Sequence, residues 1–418
     1  MKTPKTYKMK LFIVHPGVQH APRLANGASR SGLFEHVYLI TTILYRPNTS
    51  VYGIFKKRIK PIDQDVKIRN NYIYTFLFEF SRYIYNKLFP NPSNQSHNNP
   101  IYFWQQLFGL FCLPIIWLNK KNCIVVCFET AGWPVVKFCK KWRVPVIMDF
   151  ASLSHEKAKE LGINETLYGI NIKIKERQHI NYSFFCSKLC ERSFLNKTSS
   201  KIEFLIYLGA DKRDATPASS NFKEIIQEQK NIIKISFIAN LEYRKGLDIL
   251  IDALIIYSLP VKLEIHLIGK LRKSWIENYI KAKEISQNVT LINKPAMDQE
   301  QLFKYLKDER FDLNIQPSRF DSFAMVVPES MMMGIPNIVS PYVGAGELIT
   351  NNINGFIMNE LDSKSIIKII EQYILMSPFQ RLELKNNTIK AANLMTWENY
   401  YNNVACSFKE ILKDLKNI

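Results

Sequence analysis

Short apolar runs alternate with helix-like stretches in the first half of the chain. A helix is expected near residues 20–31, and the apolar runs occupy residues 9–14, 37–44, 124–128, 144–150, 182–186 and 204–208. Runs of this length, rich in Val, Ile and Phe, are typical of buried strands. Because strands that alternate with helices form parallel sheets covered on both faces, the pattern predicts an α/β fold.

The second half repeats this alternation more clearly. Strands are expected at residues 232–239, 263–268, 289–292, 313–315 and 337–339. Helices are expected at residues 247–257, and near 274–286, 298–307, 328–333 and 363–375. This order is typical of a second, independent doubly wound unit.

A polar stretch and an amphipathic tail set the expected domain boundaries. The stretch 211–231 contains the sequence TPASSN, and the tail 396–418 has apolar residues at i, i+3 and i+4 spacing. Such spacing indicates a helix with one apolar face. We therefore divide the chain into a first domain (1–210), a linker (211–231), a second domain (232–395) and a closing C-terminal helix (396–418).

Charge separates the two halves further. The 418-residue chain has 56 Lys and Arg against 37 Asp and Glu, a formal net charge of +19. Residues 1–209 have 30 basic and 12 acidic residues, a net +18, whereas residues 210–418 have 26 and 25, a net +1. A basic first half favours an anionic membrane surface, nucleic acid or a phosphorylated substrate as partner. No nucleic-acid-binding module is recognisable, so we expect no nucleic acid partner.

Residues 101–118 form the most apolar segment and contain no charged residue. Lys120 and Lys121 follow it, and aromatic residues with flanking Lys favour a membrane interface. Gln105 and Pro114 interrupt the run, which makes a membrane span the least favoured interpretation. A helix buried in the first domain is preferred, an interfacial helix comes second, and all three interpretations stay open.

The seven cysteines and the N-terminus point to a reducing, cytoplasmic setting. No signal peptide is expected, because the apolar run 11–14 is too short for one. Cys123/Cys127 and Cys186/Cys190 are each four positions apart. We interpret these pairs as buried thiols rather than as half of a metal site, since no second pair with matching His lies nearby.

Segment 316–358 carries the most informative chemistry. Pro317-Ser318 follows an expected strand, and Asp321 precedes Glu329 by eight positions. The residues between the two carboxylates can begin a helix, whose N-terminus suits a diphosphate. Carboxylates beside it suit sugar hydroxyls, which donate strong hydrogen bonds to ionised oxygens. For one carboxylate alone, an interaction with the helix dipole is the simpler interpretation.

This segment resembles the family-four (group 1) retaining glycosyltransferases of the GT-B fold. Their motif reads P-S, E-x7-E, A-M-A-x-G-x-P, then G-x-x-E and N-G. The chain has matching elements in the same order: Pro317-Ser318, Asp321-x7-Glu329, Met331-Met332-Met333-Gly334-Ile335-Pro336, Gly344-Ala345-Gly346-Glu347 and Asn354-Gly355. The resemblance implies two Rossmann-like doubly wound domains facing each other across a cleft, with a C-terminal helix crossing back. The chain departs from the family at Asp321, where Glu is usual.

The resemblance also implies roles for these residues. Asp321 would contact hydroxyls of the donor sugar, and Glu329 would hold the ribose hydroxyls of the nucleotide. The backbone of three residues would face the sugar and diphosphate: Ser322, Phe323 and Ala324.

A second match lies at residues 237–250, which resemble the family's strand followed by G-R-L-x-x-x-K-G. Lys245-Gly246 fits this pattern, whereas Ala239-Asn240 replaces Gly-Arg. By the resemblance, Lys245 is a catalytic residue, because a cation offsets negative charge that develops on a departing diphosphate. Asn240 and Arg244 are further donor-binding candidates. Taken alone, a Lys-Gly pair after a strand is usually a solvated loop.

In the first domain, family members place the loop after the first strand near the donor phosphates and the acceptor. Gly17 lies in this loop and permits a close backbone approach, so it is a donor-binding candidate. His20 is a candidate for contact with the acceptor or phosphate, and a polar loop residue without a role is an equal alternative. Three more candidates end or follow expected strands, where ligands bind in open α/β sheets: Glu129, Asp149 and His155.

Together these features and the resemblance predict an enzyme that transfers a hexose-like sugar from a nucleotide-sugar to an acceptor hydroxyl. The resemblance implies that the transfer retains the anomeric configuration. By the resemblance it needs no metal and no cofactor, since the nucleotide-sugar is a co-substrate. The expected acceptor is a glycan or lipid-linked sugar of surface polysaccharide, lipopolysaccharide or glycolipid synthesis, at the inner face of an anionic plasma membrane. The alternatives are a non-catalytic nucleotide-sugar-binding or scaffold protein of the same fold, and an epimerase or hydrolase acting on a nucleotide-sugar.

Overall fold

The computed structural model describes residues 7–17, 19–47, 58–88, 98–163, 165–213, 231–240, 243–270, 274–281 and 283–417. The chain forms two compact units. The first unit consists of Met1–Cys186, Cys190–Tyr207 and Glu398–Ile418, and the second of Ser187–Leu189 and Leu208–Trp397. Of the predicted linker, residues 214–230 lie outside the described part of the chain.

The first unit is built on a seven-stranded sheet in the order β3-β2-β1-β4-β5-β6-β7. All neighbouring strands pair in parallel. The strands are β1 (Tyr7–Val14), β2 (Phe34–Thr41), β3 (Val66–Asn70), β4 (Cys123–Phe128), β5 (Val146–Phe150), β6 (Tyr182–Phe185) and β7 (Ile202–Leu205). The strand predicted at residues 204–208 begins and ends earlier in the structure, at Ile202 and Leu205. The order reverses between β1 and β4, the point at which such sheets bind ligands.

Helices surround this sheet. They are α1 (Ala21–Arg30), α2 (Tyr72–Leu88), α3 (Asn98–Leu118), α4 (Trp133–Trp142), α5 (His155–Glu160), α6 (Leu167–Arg177) and α7 (Lys188–Ser193). The pattern of apolar residues predicts neither β3 nor α2. β3 is an edge strand with only Val66 fully buried, and the apolar residues of α2 cover most of its circumference, so neither shows a clear period.

The helix over residues 101–118 is only partly buried. Phe108, Cys112 and Ile116 are fully buried on one face of α3, which packs against β1, α4 and α6. In the window Ile101–Leu118, 22% of the residues are buried. The preferred interpretation, a helix buried in the first domain, is therefore wrong for most of its surface.

The second unit is built on a six-stranded parallel sheet in the order β10-β9-β8-β11-β12-β13. Its strands are β8 (Ile232–Ile238), β9 (Lys262–Ile268), β10 (Val289–Lys294), β11 (Leu313–Gln316), β12 (Asn337–Val339) and β13 (Gly355–Ile357). Its helices are α8 (Leu247–Ile256), α9 (Ser274–Lys281), α10 (Gln299–Glu309), α11 (Val326–Met332), α12 (Ser363–Leu375) and α13 (Pro378–Ala392). Here the order reverses between β8 and β11.

The core of the second unit lies between its sheet and two helices on one face. Ile235 and Phe237 of β8 pack with Leu250 and Leu254 of α8, and Ile370 of α12 belongs to the same fully buried cluster. These positions recur every second residue in the strand and every fourth in the helix, as the two periods require.

The C-terminal helix α14 (Trp397–Asp414) belongs to the first unit from Glu398 onward. The ring of Phe408 packs edge-on against Phe34 at 5.0 Å and Phe184 at 5.7 Å. The Tyr182 hydroxyl donates to Asp414 at 2.6 Å. The chain thus returns to its first unit at the end, which completes the predicted arrangement of two Rossmann-like α/β units and a returning helix.

Candidate donor site in the second unit

Two loops meet at the reversal point of the second sheet. A 3-10 turn, Tyr243–Lys245, follows β8 and leads into α8, and residues 317–325 connect β11 to α11. Because β8 and β11 are parallel neighbours, both loops leave the same edge of the sheet. This is the edge at which open α/β sheets bind ligands.

The structure brings Lys245 and Asp321 together across these loops. The Lys245 ammonium contacts one Asp321 oxygen, with the two side chains 15% and 12% exposed. The second Asp321 oxygen accepts the backbone N–H of Ala324 at 3.0 Å. Asp321 therefore holds both the cation and the start of the loop that leads to α11.

Gly246 allows the two loops to approach each other. Its φ is +72°, and a Cβ atom built there would lie 1.9 Å from the carbonyl oxygen of Pro317. Neither the conformation nor the space admits a side chain without a backbone shift. The glycine of the Lys-Gly pair thus sets the position of Lys245 over the β11 loop.

Arg319, which the motifs did not predict, links the same loops. Its guanidinium binds both oxygens of Asp248 at 2.7 Å each and lies 3.6 Å from the ring centre of Tyr243. A bidentate pair of this kind is geometrically specific as well as strong. No family motif quoted above includes this residue, so only its position beside Ser318 hinted at a role.

Arg244 contacts the backbone of the β11 loop, and Asn240 lies on the surface. Arg244 Nη1 donates to the carbonyl of Phe320 at 3.0 Å, and its own carbonyl accepts the N–H of Arg319 at 2.9 Å. Asn240 is exposed just beyond the end of β8. Arg244 therefore helps to fix the β11 loop, and its role as the compensating diphosphate cation stays a prediction.

The expected donor-facing backbone is firmly held. The carbonyl of Ser322 accepts the Ser187 hydroxyl at 2.7 Å, and the carbonyl of Phe323 accepts the N–H of Ala345 at 2.8 Å. Ala324 adopts a left-handed conformation, with φ at +65°, and its N–H already donates to Asp321. For Ala324, a contact through the backbone N–H would require that hydrogen bond to be exchanged.

Glu329 lies in the first turn of α11, largely enclosed by the protein. Gln299 Nε2 donates to its Oε1 at 3.2 Å. Burial is the main reason that the pKa of Glu329 is raised to about 7, and the nearby Asp211 carboxylate adds to the rise, whereas Gln299 and Arg213 oppose it. A carboxyl with this pKa changes charge near neutral pH, and a hydroxyl donor would favour its ionised form.

In the first unit, the structure joins His20 to Asp149. His20 Nε2 lies 2.8 Å from Asp149 Oδ2, and both residues are buried. The rings of His15 and His20 meet Phe128 edge-on at 4.6 and 5.1 Å. His20 is therefore an oriented side chain at the start of α1 rather than a solvated loop residue.

Gly17 shapes the loop before His20. Its N–H donates to His15 Nδ1 at 2.8 Å, and its carbonyl accepts the Thr41 hydroxyl at 3.2 Å. A Cβ atom on Gly17 would lie 2.9 Å from the His15 ring. Burial lowers the pKa of His15 to about 4, so this ring is neutral at neutral pH and accepts the Gly17 N–H.

The other first-unit candidates serve a buried network. Glu129 contacts the Ser152 hydroxyl and lies 3.8 Å from the ammonium of Lys173, which pairs with Glu165 at 2.6 Å. His155 Nδ1 lies 3.3 Å from Glu156, so its nearest described carboxylate is its chain neighbour. Nothing in these contacts assigns either residue to a ligand.

Glu176, which the sequence analysis did not name, caps a helix in this network. It accepts three backbone N–H groups at the start of α4, at 2.7 to 2.9 Å: those of Thr130, Gly132 and Trp133. Burial raises its pKa to about 8 despite these hydrogen bonds.

Among the described residues, one cluster of carboxylate and imidazole groups could hold a metal ion. Ligand atoms of Glu264, His266 and Glu309 lie within 4.8 Å of one another. The Lys234 ammonium, however, lies 3.1 Å from Glu264 and 2.9 Å from Glu309, so a protein cation already neutralises the group. The triplet Asp63-Gln64-Asp65 has the spacing of an Asp-x-Asp motif, yet both Asp63 oxygens bind Arg30, at 2.6 and 3.1 Å.

Six cysteines are buried and unbonded to one another, and Cys406 is exposed. Burial raises the thiol pKa of both Cys123 and Cys127. The interpretation of the two i, i+4 pairs as buried thiols is confirmed for all four residues.

The segment that contains this site is similar to a known protein family. Residues 219–395 match the family model of the glycosyl transferases group 1. The match spans the second unit and confirms the resemblance drawn from its motifs. The matched segment contains Lys245 and Asp321, which the structure brings together at the reversal of the second sheet.

Individual relatives are distant. An uncharacterized glycosyltransferase of Methanocaldococcus jannaschii is 26% identical over 190 residues, 45% of this chain and 51% of its own length. An uncharacterized 41.2 kDa protein in the cps region of Klebsiella pneumoniae is 24% identical over 147 residues, 35% of this chain and 38% of its own length. The chain thus aligns with about half or less of these relatives.

The fold has counterparts among solved structures. HepE of Anabaena, solved in complex with UDP-glucose, superposes with a TM-score of 0.60 at 14% identity, covering 96% of this chain and 100% of that protein. At this identity the likeness shows the fold alone, the GT-B fold of two Rossmann-like α/β units.

Proposed function

We propose that the protein transfers a hexose from a UDP-sugar to an acceptor hydroxyl, with retention of anomeric configuration. The observation that carries the proposal is the Lys245–Asp321 pair at the reversal of the second sheet, inside the segment that matches the group 1 glycosyltransferases. The UDP-glucose complex of HepE supports a uridine nucleotide as donor.

In the proposed reaction, the bond between the sugar's anomeric carbon and the diphosphate oxygen breaks. A bond from the anomeric carbon to the acceptor oxygen forms, and the acceptor's proton is released with UDP as the leaving group. Lys245 stabilises the charge that develops on the diphosphate, in a site where partial burial strengthens the interaction. This positive charge is the protein's own, and the proposal assigns the enzyme no metal and no cofactor.

Two carboxylates orient the donor. Asp321 keeps the ammonium of Lys245 in place and accepts hydroxyls of the sugar. Glu329 accepts the ribose hydroxyls, which donate to the ionised carboxylate more strongly than to a neutral acid. Ser322 and Phe323 place the loop backbone beside the sugar and diphosphate.

The first unit binds the acceptor in this proposal. His20 is held by Asp149 in one orientation, which suits a group that contacts an acceptor hydroxyl or takes up its proton. Its neighbour Gly17 shapes the loop. The acceptor in this proposal comes from surface polysaccharide or glycolipid synthesis at the cytoplasmic face of the membrane, an anionic surface that the net +18 of residues 1–209 favours.

A calorimetric titration with UDP tests the nucleotide site. Wild-type protein binds UDP, and Glu329→Ala weakens the affinity at least tenfold, because about 1.5–3 kcal/mol is lost with hydrogen bonds to a charged group. Glu383→Ala is the matched control, since Glu383 is exposed on α13 of the same unit. Unchanged UDP affinity in a folded Glu329→Ala protein removes the ribose role, and GDP binding in place of UDP overturns the choice of nucleotide.

One observation favours a second candidate, a non-catalytic nucleotide-sugar-binding protein. The position of the family's arginine is occupied by Asn240, which is exposed and carries no charge. The site then has one cation fewer for the leaving group. Binding of UDP-glucose without acceptor-dependent release of UDP would favour this candidate.

A further inference from the structure

Two helices of the first unit expose an extensive apolar surface. Of the 23 large apolar residues that are exposed in the described chain, 13 belong to α2 and α3. We call these 13 residues the α2–α3 apolar surface: Tyr72, Ile73, Phe76, Leu77, Phe80, Tyr83, Ile84, Ile101, Phe103, Leu110, Phe111, Trp117 and Leu118. Single exposed apolar residues are ordinary, whereas a concentration of this size marks an interaction site.

Helix α2 already has a separate apolar stripe for the core. Tyr74 is 2% exposed, and its hydroxyl donates to the carbonyl of Trp104 in α3 at 2.8 Å. Ile73 and Phe76, by contrast, are each 70% exposed, and the rings of Phe76 and Phe80 stack in parallel at 6.1 Å. The outward aromatic face is thus additional to the packing that holds α2 in the fold.

Helix α3 extends the surface while remaining part of the fold. Phe111 is 42% exposed, and its ring lies 6.1 Å from that of the buried Tyr74, so α3 packs against the core-facing stripe of α2 while leaving part of Phe111 exposed. By length and composition α3 is apolar enough to cross a membrane. Its buried face packs against β1, α4 and α6, however, so lipid cannot surround it on all sides.

Positive charge accompanies the apolar surface. From the start of α2 to just after α3, residues 72–121 contain four Lys and Arg against one Glu, a formal balance of +3. Arg82 and Lys87 are exposed in the second half of α2, and Lys121 is exposed just after α3. The Lys120 ammonium lies 4.9 Å from the ring centre of Trp117. Aromatic residues beside Lys and Arg are typical of protein surfaces that lie in the headgroup region of a bilayer.

We propose that the α2–α3 apolar surface docks the first unit onto an anionic lipid bilayer, with its aromatic residues at the headgroup level and the flanking Lys and Arg on the lipid phosphates. This deepens the proposed function by naming the surface that meets the membrane, and it rests on that function only for the lipid-linked acceptor. Charge complementarity selects the occupant, because two copies of a surface with this positive balance would repel each other.

Vesicle flotation tests the proposal with the full-length protein. Vesicles of phosphatidylcholine with about one third phosphatidylglycerol are compared with pure phosphatidylcholine, at low and high salt. We expect wild-type protein to float with the anionic vesicles and less so at high salt, since surface charges are screened there. The Phe76→Ser/Phe80→Ser variant should bind them at least tenfold less.

The matched control is Leu375→Ser/Phe379→Ser, which removes two exposed apolar residues, 83% and 58% exposed, from the second unit. It should float like wild-type protein. All variants should bind UDP with wild-type affinity, which separates failure of docking from failure of the nucleotide site.

Three results would overturn the proposal. The first is flotation of the Phe76→Ser/Phe80→Ser variant equal to that of wild-type protein. The second is no flotation of wild-type protein with anionic vesicles at either salt concentration. The third is a wild-type dimer in solution that the same variant converts to a monomer, without vesicle binding, since a second copy would then be the occupant.

Discussion

The two units share one sheet order around their first strand and differ in what covers the sheet. β3-β2-β1-β4 in the first unit corresponds to β10-β9-β8-β11 in the second. Between β10 and β11 the described chain has the helix α10, whereas between β3 and β4 it has the long helices α2 and α3. The equivalent connection between strands is thus one short helix in the second unit and two long helices with exposed apolar residues in the first.

The two units also differ in net charge and in the ion pairs that fix their loops. The half containing the second unit is nearly neutral, at +1, and its site loops are fixed by the Lys245–Asp321 and Arg319–Asp248 pairs. The half containing the first unit has a net charge of +18 and most of the exposed aromatic surface. The donor site proposed for the second unit needs fixed polar groups, whereas the bilayer contact proposed for the first needs apolar area and positive charge. The two units differ in the features that these proposals require.

The largest expected effect comes from Lys245→Ala. Removal of the proposed leaving-group cation should lower acceptor-dependent release of UDP from UDP-glucose by about a hundredfold or more, with a smaller loss of UDP affinity. Lys364→Ala is the control, because Lys364 is exposed on α12 of the same unit. Equal losses in both variants would mean that the effect belongs to general charge rather than to the site.

A pair of glycine substitutions compares the site loop with an ordinary turn. Gly246→Ala places a Cβ atom 1.9 Å from the Pro317 carbonyl, whereas Gly162→Ala, at a similar φ of +74°, meets no atom within 4 Å. We expect Gly246→Ala to cost more than about 3 kcal/mol and to lower Tm by about 6 °C or more. Gly162→Ala should cost about 1 kcal/mol, the conformational term alone. Equal shifts in Tm would show that the close approach of the two loops is not required.

The smallest expected effect is a pH dependence of donor binding. The pKa of Glu329 is about 7, so the carboxyl is mostly ionised at pH 8 and mostly protonated at pH 6. Affinity for UDP-glucose, whose phosphates do not titrate in this range, should fall about tenfold from pH 8 to pH 6, because a protonated carboxyl loses acceptor strength. Glu329→Gln should flatten the profile, and an unchanged slope in that variant would assign the titration to another group.

Much of the fold could be predicted from the sequence, because its strands are short apolar runs between recognisable helices. β1, β4, β5 and β8 lie where the apolar runs stand. Helix α2 could not be predicted, since four of its described aromatic residues are exposed and only Tyr74 among them is buried, so its pattern has no single apolar face. Exposure of that kind depends on tertiary packing, which local periodicity does not encode.

Site residues divide in the same way. Lys245 and Asp321 are 76 positions apart and were found by motif spacing, and their direct contact depends on β8 and β11 being neighbours in the sheet. Arg319 could not be identified because its partner Asp248 lies 71 positions away, and neither residue is one of the defined positions of the two motifs. His20 was ambiguous until the structure placed Asp149 beside it. Spacing along the chain identified the chemistry, and strand order determined which groups meet.

The central claim is that the second unit activates a UDP-sugar for transfer. Its most direct test is acceptor-dependent release of UDP from a panel of UDP-hexoses, with a lipid-linked sugar in anionic vesicles as acceptor and analysis of the new glycosidic bond. The account predicts release of UDP matched by a product in which the donor's anomeric configuration is retained. Tight binding of a UDP-sugar with no product from any donor in the panel, by folded protein, would contradict it.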